Sequence, residues 1–389
     1  MTDVSTFRFG VIGLGMGAGH AAALHNGKIP GACLAALCDM DAARRAAYRD
    51  WGGVALYEDA ARMIAEASLD AVVVATPHYS HPTLGRMALE AGLHVLVEKP
   101  IAVHKADAEW LLAASRRPGQ LLAAMFNQRT DPCYRRLKEM IDSGELGRIV
   151  RINWIITDWF RTEEYYRSGG WRATWAGEGG GVLLNQCPHQ LDLMQWLFGM
   201  PARVRAFCRM GRYHEIEVED DVTAYLEYAN GASGVFIAST GEAPGTNRLE
   251  VMADGGRVVI ENRRLTFDKN LVPTAEFCRT STERFAKPAT ETRVETFSDS
   301  GEQHTGILKN LVAAMRGEAS LVAPAEEGIR SVELANGMLY SSITDATVEF
   351  PLDGAVFRRA LENLIAHSTL VKAKPVQTHS NPADFGQSF

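Results

Sequence analysis

The sequence has little of several features that mark particular classes of protein. Its six cysteines are scattered and form no Cys-x-x-Cys pair, so a disulfide framework is not expected. No apolar run approaches the roughly 18 residues of a membrane span. The residues before Phe7 lack the basic start and apolar stretch of a signal peptide. We therefore expect a reduced, cytoplasmic protein without a membrane segment.

An excess of basic charge is also missing. Forty Lys and Arg residues stand against 47 Asp and Glu residues, a formal net charge of -7, and the basic pairs are scattered along the chain. Such a surface repels phosphate backbones, so we expect no nucleic-acid and no membrane partner. With 389 residues, 46% hydrophobic and 22% charged, the chain has the length of about two domains and an ordinary globular composition.

The first 125 residues alternate short apolar runs with helix-like segments rich in Ala, Leu, Arg and Glu. The runs read as five buried strands: Phe7–Ile12, Leu34–Cys38, Ala71–Ala75, His94–Val97 and Leu121–Ala124. This alternation predicts an α/β domain over residues 1–126, a doubly wound parallel sheet of the Rossmann type covered by helices on both faces.

The pattern changes after residue 126, where longer strand candidates follow one another with few helices between them. It predicts an α+β domain over residues 127–367 with an open, mainly antiparallel sheet, and a long loop or weak meander at Val272–Ser300. An open sheet needs its exposed face covered, which predicts a homodimer or homotetramer. Residues 368–389 read as a polar, extended tail or an arm that crosses onto a partner subunit.

The first strand is followed directly by a Gly-x-Gly-x-x-Ala turn. Gly13 allows the tight turn, Gly15 lets the backbone approach a pyrophosphate, and Ala18 permits close packing of helix and strand. Asp39 ends the second strand, where a carboxylate can bind ribose hydroxyls and favours NAD over NADP. The alternative is a plain glycine turn, with Asp39 only capping the next helix. Met16 and Gly17, which follow Gly15, are also predicted to bind the cofactor. The positive charges of Arg44 and Arg45 could offset the repulsion of a 2′-phosphate, so NADP stays possible.

Lys99 follows the strand His94–Val97 in a Glu-Lys-Pro tripeptide. Ligands of doubly wound folds lie at the carboxyl ends of strands, which places Lys99 at the predicted cofactor crevice. Burial and a positive nicotinamide ring both disfavour an ammonium, and a lowered pKa suits proton transfer. A solvated lysine beside a turn proline is the equally open alternative.

Several motifs occur together in one order. They are Gly13–His20, Asp39, Ala75-Thr76-Pro77, Glu98-Lys99-Pro100, Asn127-x-Arg129, Gly179-Gly180-Gly181 and His189-x-x-Asp192. Over about residues 7–352 the chain resembles the glucose–fructose oxidoreductase / inositol dehydrogenase / MocA (Gfo/Idh/MocA) family. The resemblance implies a Rossmann domain followed by a domain with an open, largely antiparallel sheet. It also implies NAD(P)-dependent oxidation or reduction at a carbinol carbon of a sugar, sugar derivative or cyclitol.

The resemblance assigns the catalytic positions. Lys99 matches the lysine that hydrogen-bonds the reacting hydroxyl, and His189 matches the histidine that acts as general acid/base. Many relatives carry an aspartate where this chain has Asn185, and an amide can orient a hydroxyl but cannot accept a proton. Proton transfer is therefore assigned to His189 and Lys99. Asp192, one turn after His189, is expected to fix the imidazole tautomer or to bind a substrate hydroxyl.

The same resemblance extends to cofactor contacts outside the glycine turn. The residues assigned to cofactor binding there are Thr76, Pro77, His81, Glu98, Lys99 and Asn127. Arg129 either bridges cofactor and substrate or stabilises the domain junction. His78 departs from the asparagine that relatives often carry. No carboxylate or cysteine cluster accompanies His78 and His81, so no metal site is expected.

Residues 158–175 are rich in aromatic and basic side chains and lead into the glycine run. Flat aromatic faces and charged forks suit polyol recognition, so Arg161, Tyr165, Trp171 and Arg172 are predicted to bind substrate with Asn185, His189 and Asp192. A packed aromatic loop that shields the sheet is the alternative.

Three functions are compatible with these residues. The leading hypothesis is an NAD(H)-preferring sugar or cyclitol dehydrogenase. A redox-neutral glycosidase or epimerase with recycled NAD is the second, and a non-catalytic dinucleotide-binding regulator is the third.

Overall fold

A computed structural model describes residues 6–114, 117–370 and 372. Its chain forms two sheets. The first sheet has six parallel strands in the order β3-β2-β1-β4-β5-β6. These strands are β1 Phe7–Ile12, β2 Ala32–Cys38, β3 Ala55–Tyr57, β4 Ala71–Val74, β5 His94–Val97 and β6 Leu122–Ala124. The helices between them are α1 Gly17–His25, α2 Ala42–Ala46, α3 Ala60–Glu66, α4 His81–Glu90 and α5 Lys105–Leu112.

This strand order is that of a doubly wound dinucleotide-binding sheet. The central strands are apolar and buried on both faces, as parallel sheets require. The order reverses between β1 and β4, so the carboxyl ends of these two strands flank a crevice. The predicted fold class is therefore confirmed for the first part of the chain.

The second sheet has nine strands in the order β14-β13-β12-β11-β7-β10-β9-β8-β15. The strands are β7 Ile149–Ile156, β8 Arg203–Met210, β9 Glu219–Glu227, β10 Ser233–Ser239, β11 Asn247–Ala253, β12 Gly256–Glu261, β13 Arg264–Asn270, β14 Thr290–Thr296 and β15 Val348–Glu349. Every pair is antiparallel except β7 with β10. The prediction of a mainly antiparallel second sheet is confirmed.

Seven α-helices follow β6 in the described chain. They are α6 Pro132–Asp142, α7 Glu163–Arg167, α8 Pro188–Phe198, α9 Thr274–Thr280, α10 Gln303–Met315, α11 Ala325–Thr344 and α12 Gly354–Ala366. Helix α8 begins with Pro188, where a missing backbone N–H leaves no gap in the helix, and Gly199 ends it with a φ of 78°. This start places His189 in the first turn of α8.

Two parts of the sequence prediction were wrong in detail. The short strand β3 was not predicted, because it has only three residues and none is buried. Of the two interpretations of Val272–Ser300, the long loop is wrong and the weak strand is confirmed, since the segment contains α9 and the edge strand β14. The residues of β14 are mostly exposed, so the chain shows no apolar alternation there. Beyond residues 368–370 and 372, the predicted polar tail lies outside the described residues.

Each sheet has its own hydrophobic core, and α10 packs on the first one. The apolar side chains Ile307, Leu308, Leu311 and Val312 of α10 are buried in the core around β1–β6. The division of domains at residue 126 stays a prediction, and the cores show that the chain returns to the first sheet after it. None of the helices in the described residues combines the length and hydropathy of a membrane span.

Candidate active site

The turn between β1 and α1 is shaped by glycine. Gly13 has a φ of 93°, and a Cβ there would lie 2.5 Å from the carbonyl oxygen of Ala75. The nearest atom to a Cβ at Gly15 would be a guanidinium nitrogen at 3.7 Å, so this side of the turn is open. Met16 stands at the N-cap of α1 without a side-chain cap. The Ala18 and Gly19 N–H groups make long backbone hydrogen bonds of 3.3 and 3.2 Å, so an anion at this turn would meet the positive end of a helix that no side chain caps.

The close approach of helix and strand is made by Gly17 rather than Ala18. Gly17 is buried, and a Cβ on it would lie 2.9 Å from a methyl of Val11. Ala18 is half-buried, because the helix turns it away from the strand. The packing role predicted for Ala18 was wrong by one residue.

Asp39 contacts the glycine turn directly. One carboxylate oxygen accepts a hydrogen bond from the Leu14 N–H at 2.8 Å, and the other accepts from the Asp41 N–H at 2.9 Å. Helix α2 is capped by Asp41 instead, whose side chain accepts from two backbone N–H groups. The Arg44 guanidinium lies 3.5 Å from Asp39. Asp39 therefore does not cap α2, and its binding of the adenosine ribose stays a prediction.

The segment after β4 is held by His81. Its Nδ1 lies 2.8 Å from the Pro100 carbonyl oxygen, and its Nε2 lies 2.6 Å from the Thr76 carbonyl oxygen. Burial lowers the pKa of His81, and the neutral ring has one N–H to donate to one of these two oxygens. His81 therefore supports the loop that carries Thr76 and Pro77, and its assignment to cofactor binding stays a prediction.

Glu98 is buried beside α1. Its carboxylate lies 2.7 Å from Nε2 of His20 and accepts from the Lys99 N–H at 3.1 Å. Burial alone raises the pKa of Glu98, but the His20 hydrogen bond and charge lower it below its ordinary value. The ring of His304, at the start of α10, lies 5.5 Å from the His20 ring. His20 and His304 were both missed by the sequence analysis, and no pattern around His304 distinguishes it from a surface helix residue.

Lys99 and His189 come from the two parts of the chain and lie close enough for the charge of one to act on the other. The Lys99 ammonium donates to the backbone oxygen of Asn185 at 2.9 Å. His189 is 3% exposed, and neither of its ring nitrogens has a hydrogen-bond partner among the described residues. Burial, followed by the charge of Lys99, lowers the pKa of His189 well below its ordinary value. Burial also lowers the pKa of Lys99.

An additional carboxylate, Glu178, lies beside this pair. It is 1% exposed and directly precedes the Gly179-Gly180-Gly181 run. Its side chain accepts hydrogen bonds from the Ala173 N–H at 2.6 Å and from the Asn185 amide. The sequence analysis missed Glu178, because a glutamate before a glycine run suggests a solvated turn.

Arg129 and Asp192 bind each other instead of substrate. The guanidinium of Arg129 makes two hydrogen bonds of 2.7 Å to the Asp192 carboxylate, and both side chains are 1% exposed. Arg129 also contacts Glu327 of α11. The predicted contact of Asp192 with the imidazole or with substrate is therefore corrected. Of the two roles expected for Arg129, the structure favours the domain junction.

Asn127, next to this junction, donates from its amide to Gln303 at 2.7 Å. Its side-chain oxygen is buried and has no hydrogen-bond partner among the described residues. The assignment of Asn127 to cofactor binding stays a prediction.

The aromatic stretch forms a half-buried cluster. The Arg172 guanidinium lies 4.6 Å from the Tyr165 ring and 4.8 Å from the Trp171 ring, and it donates to the Tyr165 hydroxyl at 2.8 Å. The Arg161 guanidinium lies 5.0 Å from the Tyr165 ring. Burial lowers the pKa of Lys99, and the positive charges of Arg172 and Arg161 add to this effect. The cluster is therefore close enough to Lys99 to act on its charge.

The inner aromatics of the same stretch have a different role. Tyr166 and Trp175 are buried in the core of the second sheet. The loop therefore contains both predicted kinds of residue, core side chains and partly accessible ones. Substrate binding by the accessible set stays a prediction.

The glycine turn after β1, Asp39 and the region around Lys99 and His189 are compatible with bound NAD. The open glycine turn and uncapped helix suit the pyrophosphate, and the nitrogens of His189 have no hydrogen-bond partner among the described residues. Among the described residues, no group of three or more His, Cys, Asp or Glu side chains is arranged to hold a metal ion.

Comparison with known proteins agrees with this geometry. Residues 7–126 match the protein family described as "Oxidoreductase family, NAD-binding Rossmann fold", and residues 134–259 match the "GFO/IDH/MocA C-terminal domain". Together the two matches cover more than half of the chain.

Individual relatives point the same way. Inositol 2-dehydrogenase 1 of Saccharopolyspora erythraea is 38% identical over 38% of this chain and 45% of its own length. Myo-inositol 2-dehydrogenase of Thermotoga maritima is 27% identical over 67% of this chain and 76% of its own. Several curated relatives are matched over only about half of their length.

A solved structure has the same fold over nearly the whole chain. The WlbA dehydrogenase from Bordetella pertussis, in complex with NADH and UDP-GlcNAcA, is 26% identical, with a TM-score of 0.75 over 90% of this chain and 100% of that chain. From the two family matches and this geometry, we conclude that the chain belongs to the Gfo/Idh/MocA oxidoreductase family and that its first domain is an NAD-binding Rossmann domain.

Proposed function

We propose that the protein is an NAD-dependent dehydrogenase that acts on a secondary hydroxyl of a sugar, sugar derivative or cyclitol. One observation carries the proposal: both ring nitrogens of His189 are buried and unpartnered in the described structure, beside the Lys99 ammonium. A buried polar group without a partner costs about 1–3 kcal/mol, so such a group is retained where a ligand completes it.

The relatives support the substrate class. Two of them are named as inositol dehydrogenases, and the WlbA dehydrogenase was solved with a nucleotide sugar acid. These compounds share a ring with several hydroxyl groups. The half-buried cluster of Tyr165, Trp171 and Arg172 offers ring faces and donors that suit such a substrate.

The proposed mechanism divides the proton chemistry between two residues. Neutral His189 accepts the proton of the reacting hydroxyl, because burial keeps its imidazole uncharged near pH 7. The Lys99 ammonium donates a hydrogen bond to the same hydroxyl oxygen and stabilises negative charge as the proton leaves. Bound NAD supplies the nicotinamide carbon that takes up the hydride. Asn185 orients a neighbouring hydroxyl.

The test is a panel of inositols, free sugars, glycosides and sugar acids with NAD and NADP, followed at 340 nm. For an active substrate, His189→Ala and Lys99→Ala should each lower kcat by about 10²–10⁴-fold while NAD still binds. His367→Ala and Lys28→Ala remove exposed residues of the same types and serve as controls. Full activity in His189→Ala or in Lys99→Ala would contradict the mechanism.

The pH dependence follows from the direction of the His189 shift. Its folded pKa is lowered, so the imidazole stays neutral until the pH falls well below 6.5. Alcohol oxidation should therefore keep its rate down to pH 6.5 and lose it only at lower pH.

We also propose that the protein is located in the cytoplasm and that it forms a homo-oligomer through the second sheet.

A further inference from the structure

Glu178 is a buried carboxylate that the mechanism above does not use. It lies between β7 and α8, in the segment that leads to Asn185, and only 1% of its surface is exposed. A carboxylate is costly to bury unless its oxygens are hydrogen-bonded and its charge is compensated. The hydrogen-bond partners and neighbouring charges of Glu178 therefore indicate its role.

Each carboxylate oxygen has an N–H donor. Oε2 accepts from the Ala173 N–H at 2.6 Å, and Oε1 accepts from the Asn185 side-chain amide. Both partners donate, which fits an ionised carboxylate. Burial raises the pKa of Glu178, while the Arg172 charge and these hydrogen bonds oppose the rise.

Asn185 connects this carboxylate to Lys99. Its side chain donates to Glu178, and its backbone oxygen accepts from the Lys99 ammonium at 2.9 Å. The orientation of Asn185 is therefore fixed from both sides. Glu178 also faces Lys99 through space, since its negative charge raises the pKa of Lys99 against the effect of burial.

Other charges act on the same two groups. Lys99 is faced by Glu98, Glu178, Arg161, Arg172, His78, His81, Cys187, His189 and His304. Glu178 is faced by Lys99, Arg172, Lys372, Tyr166 and Glu219. Glu98, held by His20, is the first negative neighbour of Lys99, and Glu178 supplies the second through its contact with Asn185.

We propose that Glu178 is a positioning residue of the active site, which orients the Asn185 amide and holds the Lys99 ammonium in its charged form. The inference rests on the proposed function, because it assigns Lys99 a task that needs its proton. A solely structural role, in which Glu178 only ties the turn at Ala173, is the competing explanation.

Three variants separate these explanations. Glu178→Gln keeps the shape but replaces one acceptor with a donor, so either the Ala173 N–H or the Asn185 amide loses its partner. Asn185→Asp places two carboxylates in contact. The double variant Glu178→Gln/Asn185→Asp restores both hydrogen bonds: the introduced amide accepts from the Ala173 N–H through its oxygen and donates to the new carboxylate through its NH₂. It also returns one negative charge to the site.

The first readout needs no substrate. The pH dependence of Lys99 acylation by acetic anhydride, quantified by mass spectrometry on the whole protein, reports when its amine becomes neutral. In Glu178→Gln this profile should move to lower pH by about one unit, because a nearby opposite charge is lost. It should return towards the wild-type profile in the double variant. The exposed Lys28 is the internal control.

The second readout is activity on a substrate found in the panel. Glu178→Gln should lower kcat about tenfold or more and move the alkaline loss of activity to lower pH, with little change in KM for NAD. The double variant should recover most of the activity. An unchanged Lys99 profile in Glu178→Gln, or a double variant with restored stability and no restored profile, would overturn the proposal.

The two readouts also distinguish the two proposals. If no polyol is oxidised by the wild type but the Lys99 profile moves as expected, the proposed function fails and the charge relation between Glu178 and Lys99 stands. If wild-type oxidation is found and the profile does not move, the proposed function stands and this inference fails.

Discussion

Asp39 shows how far a single residue in a local motif can be predicted. The Gly-x-Gly turn and the end of the second strand are neighbours in every sheet of this type, so their contact follows from local sequence. The structure adds that Arg44 lies 3.5 Å from Asp39 and above the open side of Gly15. A 2′-phosphate bound beside these residues would be repelled by the carboxylate and attracted by the guanidinium.

We predict that Asp39→Asn shifts the cofactor preference towards NADP. The kcat/KM ratio for NADP over NAD should rise at least tenfold, about 1.4 kcal/mol, because the repelling charge is removed while an acceptor for the turn remains. Steady-state kinetics with both cofactors measures the ratio. Adding Arg44→Ala should cancel the gain, and adding the exposed Arg49→Ala should not. An unchanged ratio in Asp39→Asn would exclude this role.

Other residues could not be placed from sequence, because tertiary contacts decide their partners. His81 contacts two carbonyl groups, one of them 19 residues further along the chain. Asp192 is one helical turn from His189, yet it binds Arg129 from a different element. No sequence pattern marks Glu178, because its contact with Asn185 and its effect on Lys99 arise only in the folded chain.

At the scale of elements, long apolar or amphipathic segments were predicted well and marginal ones were not. Strand β4 is a fully apolar run, and β1 and β5 are apolar except for Arg8 and His94, whereas β3 and β14 have no buried residues and only their sheet neighbours define them. Elements are also joined by polar contacts that periodicity cannot reveal. The 3₁₀ helix Asn127–Thr130, α8 and α11 meet at the buried Arg129–Asp192–Glu327 cluster.

We predict that Asp192→Ala lowers the free energy of unfolding by about 3–5 kcal/mol, because the buried Arg129 guanidinium keeps only Glu327 as a charged partner and the Val322 carbonyl as a neutral one. Chemical denaturation measures the loss. The double variant Arg129→Met/Asp192→Leu should lose less, since no charge stays buried. Glu66→Ala, which breaks the exposed pair with Arg62, should change stability by no more than about 0.5 kcal/mol. If Asp192→Ala lowered the free energy of unfolding no more than Glu66→Ala does, the Arg129–Asp192 pair would contribute nothing to stability.

At the scale of the whole molecule, the second sheet presents an open face. Phe207 on β8 and Tyr225 on β9 are 54% and 46% exposed, and Ile155 and Ile237 continue this face on β7 and β10. Contiguous apolar residues on a sheet surface are typical of a subunit interface. The alternating pattern that predicted this sheet also predicted the face, because every second residue of a strand points the same way.

We predict that the protein is a homo-oligomer and that Phe207→Glu/Tyr225→Glu dissociates it. Light scattering after size exclusion should give a multiple of the 42.6 kDa chain mass for the wild type and a value near that mass for the variant. Phe285→Glu, at a side chain that is 94% exposed outside the sheets, is the matched control and should leave the mass unchanged. A wild-type monomer at micromolar concentration would contradict the prediction.

The return of α10 to the first core has a consequence for engineering. A chimaera that exchanged only the segment after residue 126 for that of a relative would replace Ile307, Leu308 and Leu311 along with the substrate pocket. The foreign helix would then have to fit apolar grooves that evolved for this one. Grafts that retain the native 303–315 helix and change the chain on either side of it should fold better than grafts cut at a single junction.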